Sequence, residues 1–396
     1  MPKNHQAWWF LNQNGSLTIM QILKNLFTSQ LPDSEKTLLS QTLAELQFEG
    51  LAADSFSEKN IQSAQLKKGV LTLKLSLPFA AKSLWPAITQ KLQKRLTDGS
   101  EAIQQVECQF QTDILAHAVQ GTTQPLDGVK NIIAIASGKG GVGKSTTSVN
   151  LALALQNEGA KVGILDADIY GPSIPTMLGV FSKPETKDGK SMEPIMAYGV
   201  QLMSIGFLIN PEDAMIWRGP IVTSTLTQLL KETHWDDLDY LVIDLPPGTG
   251  DVQLTLSQQI PVTGAVIVTT PQEVALIDAR KGLQMFNKVN IPVLGVVENM
   301  STHICSQCGH EEAIFGKDGG SHLAQANQVN FLGALPLDVR IRENMDLGEP
   351  TVISDPLGEL SQKYHAIATQ VSSAIALERR DYGHAFPNIV IEPAKS

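Results

Sequence analysis

The sequence is poor in cysteine and lacks long hydrophobic runs. Only three cysteines occur among 396 residues, too few for a disulfide framework. No apolar stretch approaches the roughly 18 residues that a membrane-spanning helix requires, and the run from Trp8 to Leu11 is too short for the apolar part of a secretory signal. We therefore expect a cytoplasmic protein with no membrane partner. The polar residues before Met20 match no structural element, which makes Met20 a candidate start.

The sequence also has no excess of positively charged residues. The chain has 30 Lys and Arg residues against 40 Asp and Glu residues, which gives a net charge of −10 and a pI near 5.3. This balance argues against binding through bulk electrostatics to nucleic acid, and we predict no nucleic-acid partner. The composition, with 42% hydrophobic residues, is that of a globular protein. A chain of this length predicts two or more domains.

The hydrophobic pattern changes near residue 131 and predicts two domains. Residues 20–115 are predicted to form a small α+β domain, and the polar stretch 116–130, which contains Gly and Pro, to form a linker. Residues 131–380 form the second predicted domain, followed by a tail over 381–396. Within the first domain the pattern predicts two helices and two strands, over 35–51, 69–77, 81–96 and 104–111.

In the second domain, short continuous apolar runs alternate with helical patterns. Examples of such runs are 131–137, 240–244 and 264–270. Strands of this kind are buried on both faces, as parallel strands are when helices connect them. The predicted fold class is therefore α/β, a doubly wound and mainly parallel sheet preceded by the small α+β domain. Such sheets bind ligands at the carboxyl ends of their strands.

A glycine-rich stretch between a predicted strand and a predicted helix fits the P-loop pattern G-x-x-x-x-G-K-[ST]. Glycines allow backbone N–H groups to surround phosphates, and the helix N-terminus adds positive potential. Lys144 is expected to reach the β- and γ-phosphates, and Ser145 to bind Mg²⁺. The predicted nucleotide-binding residues of this loop are Gly138, Lys139, Gly140, Gly141, Val142, Gly143, Lys144, Ser145 and Thr146.

Carboxylates follow two of the predicted strands. Asp244 ends the strand over 240–244, where a P-loop enzyme places a second magnesium-binding residue. Asp166 and Asp168 follow the strand over 162–165, and such a pair beside a phosphate site suggests magnesium binding or orientation of the attacking water. Capping of a turn is an alternative role for each of them. We assign Asp166 and Asp244 to magnesium, and Asp168 and Asp244, with Lys139 and Lys144, to catalysis.

The nucleotide base can also be inferred. GTPases often bind guanine through an Asp three residues after an Asn. Asn299 closes a predicted strand, but position 302 is Thr. The sequence therefore favours ATP, with Asn299 as a candidate contact to adenine.

The loop carries an additional lysine, Lys139, and this form resembles the deviant P-loop of the MinD/ParA-like ATPases. The strings over 166–173, 217–220, 244–251 and 298–300 resemble those of the Mrp (ApbC) family of iron–sulfur cluster carrier ATPases, over about residues 128–375. This resemblance implies a homodimer in which Lys139 reaches the partner subunit's nucleotide. It also implies transfer of a [4Fe–4S] cluster from cluster donors to apo iron–sulfur proteins. The amino-terminal domain is similar to one in bacterial Mrp proteins, although that domain's usual cysteine is absent from 77–80.

Two of the three cysteines form a C-x-x-C motif, Cys305 and Cys308, in a polar loop after the strand that ends at Asn299. A cubane cluster or a tetrahedral zinc site needs about four protein ligands, and two copies of the loop in a symmetric dimer would supply four cysteines. The resemblance implies that this is how the [4Fe–4S] cluster is held. A redox dithiol, a zinc site completed by His303 and His310, and an inert pair are the alternatives. Cys108 lies in an alternating strand pattern, as a buried apolar residue would.

The leading hypothesis is thus a slow ATPase that carries or scaffolds a cluster. The alternative is a zinc-stabilised MinD/ParA-like ATPase that acts in positioning or in metal or protein assembly. Membrane-binding members of that class end in a basic amphipathic helix. Here the segment 379–388 is interrupted by Gly and Pro, which argues against membrane positioning.

Overall fold

The chain divides between Asp113 and Ile114 into two units. The structure, a computed structural model, describes residues 31–119, 123–208, 219–305 and 307–378. Met20, the Trp217–Arg218 part of one motif and the predicted tail over 381–396 lie outside these residues.

The first unit is built on a three-stranded sheet in the order β1-β2-β3, with β1 antiparallel and β3 parallel to the central β2. Strand β2 alternates between buried and less buried residues, as its sequence predicts. Helix α2 buries Ile88, Leu92 and Leu96, spaced by one helical turn, and packs on β3. The elements of this unit are α1 (Asp33–Ala44), β1 (Ile61–Lys67), β2 (Val70–Leu77), α2 (Trp85–Gly99) and β3 (Gln105–Thr112).

Two sequence predictions for this unit need correction. The first helix ends at Ala44, short of the predicted 51, because the chain turns after it and Gly50 adopts a left-handed backbone conformation. The pattern analysis also missed β1. Its sequence is mostly polar and only Ile61 and Ala64 are buried, so its pairing with β2 is not visible from hydrophobic alternation.

The second unit contains an eight-stranded sheet in the order β13-β10-β9-β4-β8-β5-β7-β6. All its pairings are parallel except that of β6 with β7. The strands of this sheet are β4 (Val129–Ala136), β5 (Val162–Asp166), β6 (Ile195–Ala197), β7 (Val200–Ser204), β8 (Leu238–Asp244), β9 (Gly264–Thr269), β10 (Val293–Glu298) and β13 (Phe331–Ala334). The predicted α/β class with a mainly parallel sheet is confirmed.

Helices alternate with these strands. Every residue of β5, β8 and β9 is buried, so these strands are covered on both faces. The helices of this unit are α3 (Lys144–Asn157), α4 (Ile174–Met177), α5 (Gly219–Glu232), α6 (Asp251–Gln259), α7 (Glu273–Lys288), α8 (Gly319–Ala326), α9 (Val339–Asp346), α10 (Thr351–Ser354) and α11 (Glu359–Leu377). None of the helices in the described ranges combines the length and apolar character of a bilayer-spanning segment.

A buried amide anchors the start of the central strand β4. The Asn131 side chain, 1% exposed, donates to the carbonyls of Leu115 (2.9 Å) and Asp239 (3.2 Å) and accepts from the His117 N–H at 3.1 Å. Leu115 and His117 lie at or next to the start of the segment 116–130 for which the sequence predicts a linker, and β4 begins inside that segment at Val129. The amide therefore ties the chain before the sheet to its two central strands, β4 and β8.

We expect Asn131→Ala to destabilise the protein by about 1–3 kcal/mol, because it leaves buried backbone groups without their hydrogen-bond partner. Urea denaturation of the full chain, followed by tryptophan fluorescence, would measure this. Gln325→Ala, a change at an exposed position of α8, serves as the control and should change the free energy of unfolding by less than about 0.5 kcal/mol. Equal stability of the two variants would contradict the anchoring role.

Candidate functional site

The P-loop connects the carboxyl end of β4 to the N-terminus of α3. Gly143 has a φ of 81° and precedes Lys144, the first residue of α3. Gly138 packs so closely on α7 that a Cβ atom there would lie 2.2 Å from the carbonyl carbon of Asp278. The loop therefore requires glycine at Gly143 because of the backbone conformation, and at Gly138 because of the close packing. It presents the N-terminus of a 14-residue helix, a favourable site for phosphate.

A buried cluster of charged and hydroxyl groups lies at the start of α3. The Lys144 ammonium is 2.7 Å from an oxygen of Asp244, whose side chain is fully buried. The same oxygen accepts a hydrogen bond from Ser145 at 2.6 Å, and the other accepts one from Ser148 at 2.6 Å. The structure thus brings Lys144 and Ser145 together with Asp244, which lies 100 and 99 residues after them in the sequence.

The residues of this cluster fit a magnesium ion. Ser145 and Asp244 supply a hydroxyl and a carboxylate oxygen in direct contact, and Mg²⁺ prefers such hard oxygen ligands. Lys144 lies beside them with its charged group buried, where it can compensate phosphate charge. The arrangement can therefore bind the phosphates of a nucleotide together with magnesium.

Asp166 and Asp168 occupy different environments. Asp166 is fully buried and accepts hydrogen bonds from the N–H groups of Asp168 (3.2 Å) and Ile174 (3.3 Å) and from the Ser204 hydroxyl (3.1 Å). Burial, and secondarily the charge of Asp244, raises the pKa of Asp166 to about 7, against the opposing effect of Lys144. These contacts are those of a residue that organises its loop. Its assignment to magnesium stays a prediction.

Asp168 lies closer to the phosphate-binding lysine. One of its oxygens is 3.6 Å from the Lys144 ammonium. Burial raises the pKa of Asp168, while the positive charge of Lys144 opposes this shift. This position beside the P-loop suits a group that interacts with the attacking water, although that role remains a prediction.

Asn299 contacts the P-loop directly. Its side-chain nitrogen donates to the Val142 carbonyl at 2.9 Å, and the residue is 7% exposed. One of the two N–H donors of this amide is thereby used, and the contact of Asn299 with adenine stays a prediction. Lys139, by contrast, is exposed, and among the described residues no ion-pair partner is found for its ammonium group.

The cysteine pair lies on a small β-hairpin, which we call the cysteine hairpin (residues 303–305 and 307–312). It consists of β11 (His303–Ile304) and β12 (Glu311–Glu312), paired antiparallel. Cys305 is half-buried and Cys308 exposed, and both are free thiols. The N–H groups of Gln307 and Cys308 and the Cys308 thiol donate to the Cys305 sulfur, which lowers the pKa of Cys305. The turn thus favours a thiolate, the form that binds metals.

The histidines of the hairpin do not complete a metal site. The His303 ring is 3.2 Å from the Leu337 carbonyl. Within the described part of the chain, no group of three or more His, Cys, Asp or Glu side chains is arranged to hold a metal ion. The third cysteine, Cys108, lies on strand β3 of the first unit, where burial raises its pKa.

The model of the ParA family described as NUBPL iron-transfer P-loop NTPase matches residues 128–372. The chain belongs to this family. The P-loop, Asp244 and the cysteine hairpin all fall within the matched region of this iron-transfer NTPase family. The resemblance proposed from the sequence is therefore confirmed at the level of the family.

Similar proteins include an iron–sulfur cluster carrier protein of Haemophilus influenzae, 49% identical over 355 residues, which cover 88% of this chain and 94% of that protein. The iron–sulfur cluster transfer protein NUBPL of Mus musculus is 52% identical over 250 residues, 63% of this chain and 78% of that protein. Among solved structures, a nucleotide-binding protein of Archaeoglobus fulgidus in complex with ADP is 37% identical, with a TM-score of 0.51 over 59% of this chain and 91% of that one.

Sequence analysis missed two hydroxyl groups of the site. Ser148 lies one helical turn after Lys144, and that spacing was the only available signal. Ser204 ends β7, a strand that the pattern analysis did not predict, and only the pairing of β7 with β5 brings it to Asp166.

We expect the stability of the nucleotide-free protein to depend on Asp166. Since its folded pKa is raised to about 7 from the usual 3.8, the folded state binds this proton more tightly than the unfolded state. The free energy of unfolding should therefore fall as the pH rises through this window. In Asp166→Asn, the loss between pH 5 and pH 8 should be smaller by on the order of 2 kcal/mol.

Urea denaturation at several pH values, in the presence of a chelator, would measure this slope. Asp188→Asn is a suitable control because Asp188 is exposed and its pKa is lowered to about 2, outside the tested window. If the wild-type and Asp166→Asn proteins showed the same slope, Asp166 would not hold a proton near neutral pH.

Proposed function

We propose that this chain binds and hydrolyses ATP with Mg²⁺ and, as a homodimer, carries a [4Fe–4S] cluster that it receives from a donor and transfers to apo iron–sulfur proteins. One observation carries this proposal: the same unit that forms the phosphate site presents two free cysteines on a hairpin, one with a lowered pKa. The names of the relatives from Haemophilus influenzae and Mus musculus support the cluster-carrying part.

On the nucleotide side, the backbone of Gly138–Thr146 and the N-terminus of α3 would surround the phosphates. Lys144 would turn from the carboxylates towards the β- and γ-phosphates. Ser145 and Asp244 would hold Mg²⁺, which neutralises charge on the transferred phosphoryl group. Asp168 would orient the attacking water.

On the cluster side, one chain offers two free cysteines at the cysteine hairpin. A [4Fe–4S] cluster needs four protein ligands. In a dimer with twofold symmetry the same hairpin of the second subunit supplies the other two. Exposure of Cys308 suits a cluster that must leave the protein, because the incoming thiols of an acceptor can reach its ligands.

Replacing both hairpin cysteines, Cys305→Ala/Cys308→Ala, should abolish cluster loading, because it removes the thiolate ligands and leaves the P-loop intact. We expect iron and sulfide per dimer to fall to background after anaerobic reconstitution, with loss of the thiolate–iron visible absorption. ATP hydrolysis should be largely retained. Metal analysis and absorption spectroscopy would measure the first effect, and phosphate release the second.

The chain offers a matched control in Cys108→Ala, which removes a thiol that is half-buried on β3. This variant should load iron as the wild-type protein does. Normal loading of the double variant would overturn the assignment of the hairpin. Zinc without iron in the wild-type protein would favour the zinc-stabilised ATPase instead.

Lys139→Ala should leave ATP binding within about threefold and lower the turnover rate on the order of 100-fold, because we propose that Lys139 stabilises charge in the partner subunit's site during hydrolysis. Equilibrium binding and steady-state phosphate release would separate the two effects. Lys183→Ala, a change at another exposed lysine of this unit, should be neutral. A normal turnover rate for Lys139→Ala would refute the role across the dimer.

A further inference from the structure

One short segment, residues 299–304, contacts the P-loop at its first residue and ends in strand β11 of the cysteine hairpin. At its first residue, the Asn299 side chain donates to the Val142 carbonyl at 2.9 Å. The contact is tight, since a Cβ atom on Gly143 would lie 2.1 Å from the Asn299 side-chain nitrogen. A shift of the backbone at Val142 and Gly143 must therefore displace the Asn299 amide or break its hydrogen bond.

The segment continues to the cysteines through backbone hydrogen bonds with residues that follow β13. Both the N–H and the hydroxyl of Ser301 donate to the Leu335 carbonyl at 3.0 Å. The Leu337 N–H then donates to the Thr302 carbonyl at 2.7 Å. The next residues form β11, after which the Cys305 N–H donates to the opposite side of the hairpin at 2.9 Å. Between Asn299 and Cys305 the chain is thus held by hydrogen bonds at Ser301, Thr302 and Cys305.

Two features allow this segment to adopt a second arrangement. Met300, directly after Asn299, has a φ of 55°, a left-handed conformation that costs energy for a residue with a side chain. A cavity of about 210 Å³ lies beside the segment and is lined in part by Ser301, Thr302, Ile304 and Glu311. The segment therefore has a strained residue at one end and free space along its length.

Nucleotide would act on the side chain that directly follows the part of the loop that Asn299 contacts. Lys144 is engaged with Asp244 at 2.7 Å and lies 3.6 Å from Asp168, and the same ammonium is needed by the phosphates. Val142 and Gly143 directly precede this lysine. We infer that Asn299 is a positioning residue that transmits the nucleotide state of the P-loop to the cysteine hairpin. The inference rests on the proposed function and concerns the regulation of its two sites.

The test uses the metal-free, reduced protein and measures the rate at which iodoacetamide alkylates each cysteine, resolved by peptide mass spectrometry. In the wild-type protein, MgADP and a non-hydrolysable ATP analogue with Mg²⁺ should give rates at Cys305 and Cys308 that differ by about fivefold or more. In Asn299→Asp, which keeps the side-chain shape but lacks the N–H donor, saturating nucleotide should change these rates by less than about twofold.

Two further variants separate coupling from nucleotide binding and from general damage. Ser301→Ala removes the hydrogen bond from the Ser301 hydroxyl to the Leu335 carbonyl, which lies away from the P-loop. This variant should also show a smaller difference between the alkylation rates measured with the two nucleotides. Asn330→Ala is the matched control. It removes a hydrogen bond that the Asn330 side-chain nitrogen donates at 3.1 Å to the Leu294 carbonyl, near the other end of β10, and it should keep the wild-type response. Cys108 provides an internal reference whose alkylation should not depend on nucleotide.

The proposal is overturned if Asn299→Asp retains the full response at saturating nucleotide, if Asn330→Ala loses it as well, or if the wild-type protein shows none. These readouts involve no cluster, so they are independent of the proposed cargo. A wild-type protein that shows the nucleotide-dependent alkylation but fails to take up iron and sulfide would refute the cluster function and leave the coupling intact.

Discussion

The buried contact between Lys144 and Asp244 is the interaction on which the site depends. A fully buried carboxylate is costly unless opposite charge and hydrogen bonds compensate it. Here the ammonium group of Lys144 and the hydroxyls of Ser145 and Ser148 provide that compensation. Because the three donors lie on α3 and the carboxylate ends β8, the contact fixes the helix against the sheet at the point where phosphate would bind. In the proposed function these same groups bind the nucleotide and magnesium.

Lys144 and Ser145 therefore have two roles in the proposed function, since they compensate the charge of Asp244 and also bind the nucleotide and magnesium. This is how nucleotide binding could influence the rest of the unit. A ligand that draws Lys144 away from Asp244 would change the balance of charge around Asp166 and Asp168 as well, since Asp166 and Asp244 end the adjacent strands β5 and β8 and Asp168 lies 3.6 Å from the Lys144 ammonium. The sheet itself is covered on both faces and provides a rigid frame. Change is therefore concentrated in the loops after the strands, including the segment that leads to the cysteine hairpin.

Much of the fold could be predicted from the sequence because buried parallel strands leave continuous apolar runs, such as those of β8 and β9. The P-loop was equally clear, since its chemistry resides in neighbouring residues. Strand β1 and the β6–β7 pair could not be predicted, because their stability comes from pairing partners and not from a local pattern. The same limit applies to the hydrogen bond from Asn299 to Val142, which joins residues far apart in the chain.

The small size of the cysteine hairpin has a consequence for how cargo and structure depend on each other. Its two strands pair over only two positions each, and a hairpin that short has little stability of its own in water. A metal bound by the two cysteines would therefore supply part of the free energy that orders the turn. A loaded and an empty subunit should differ in local unfolding, so resistance of the hairpin to hydrogen exchange or to proteolysis reports its occupancy. In the proposed function, an acceptor protein would therefore meet a hairpin that is more ordered on a loaded subunit than on an empty one.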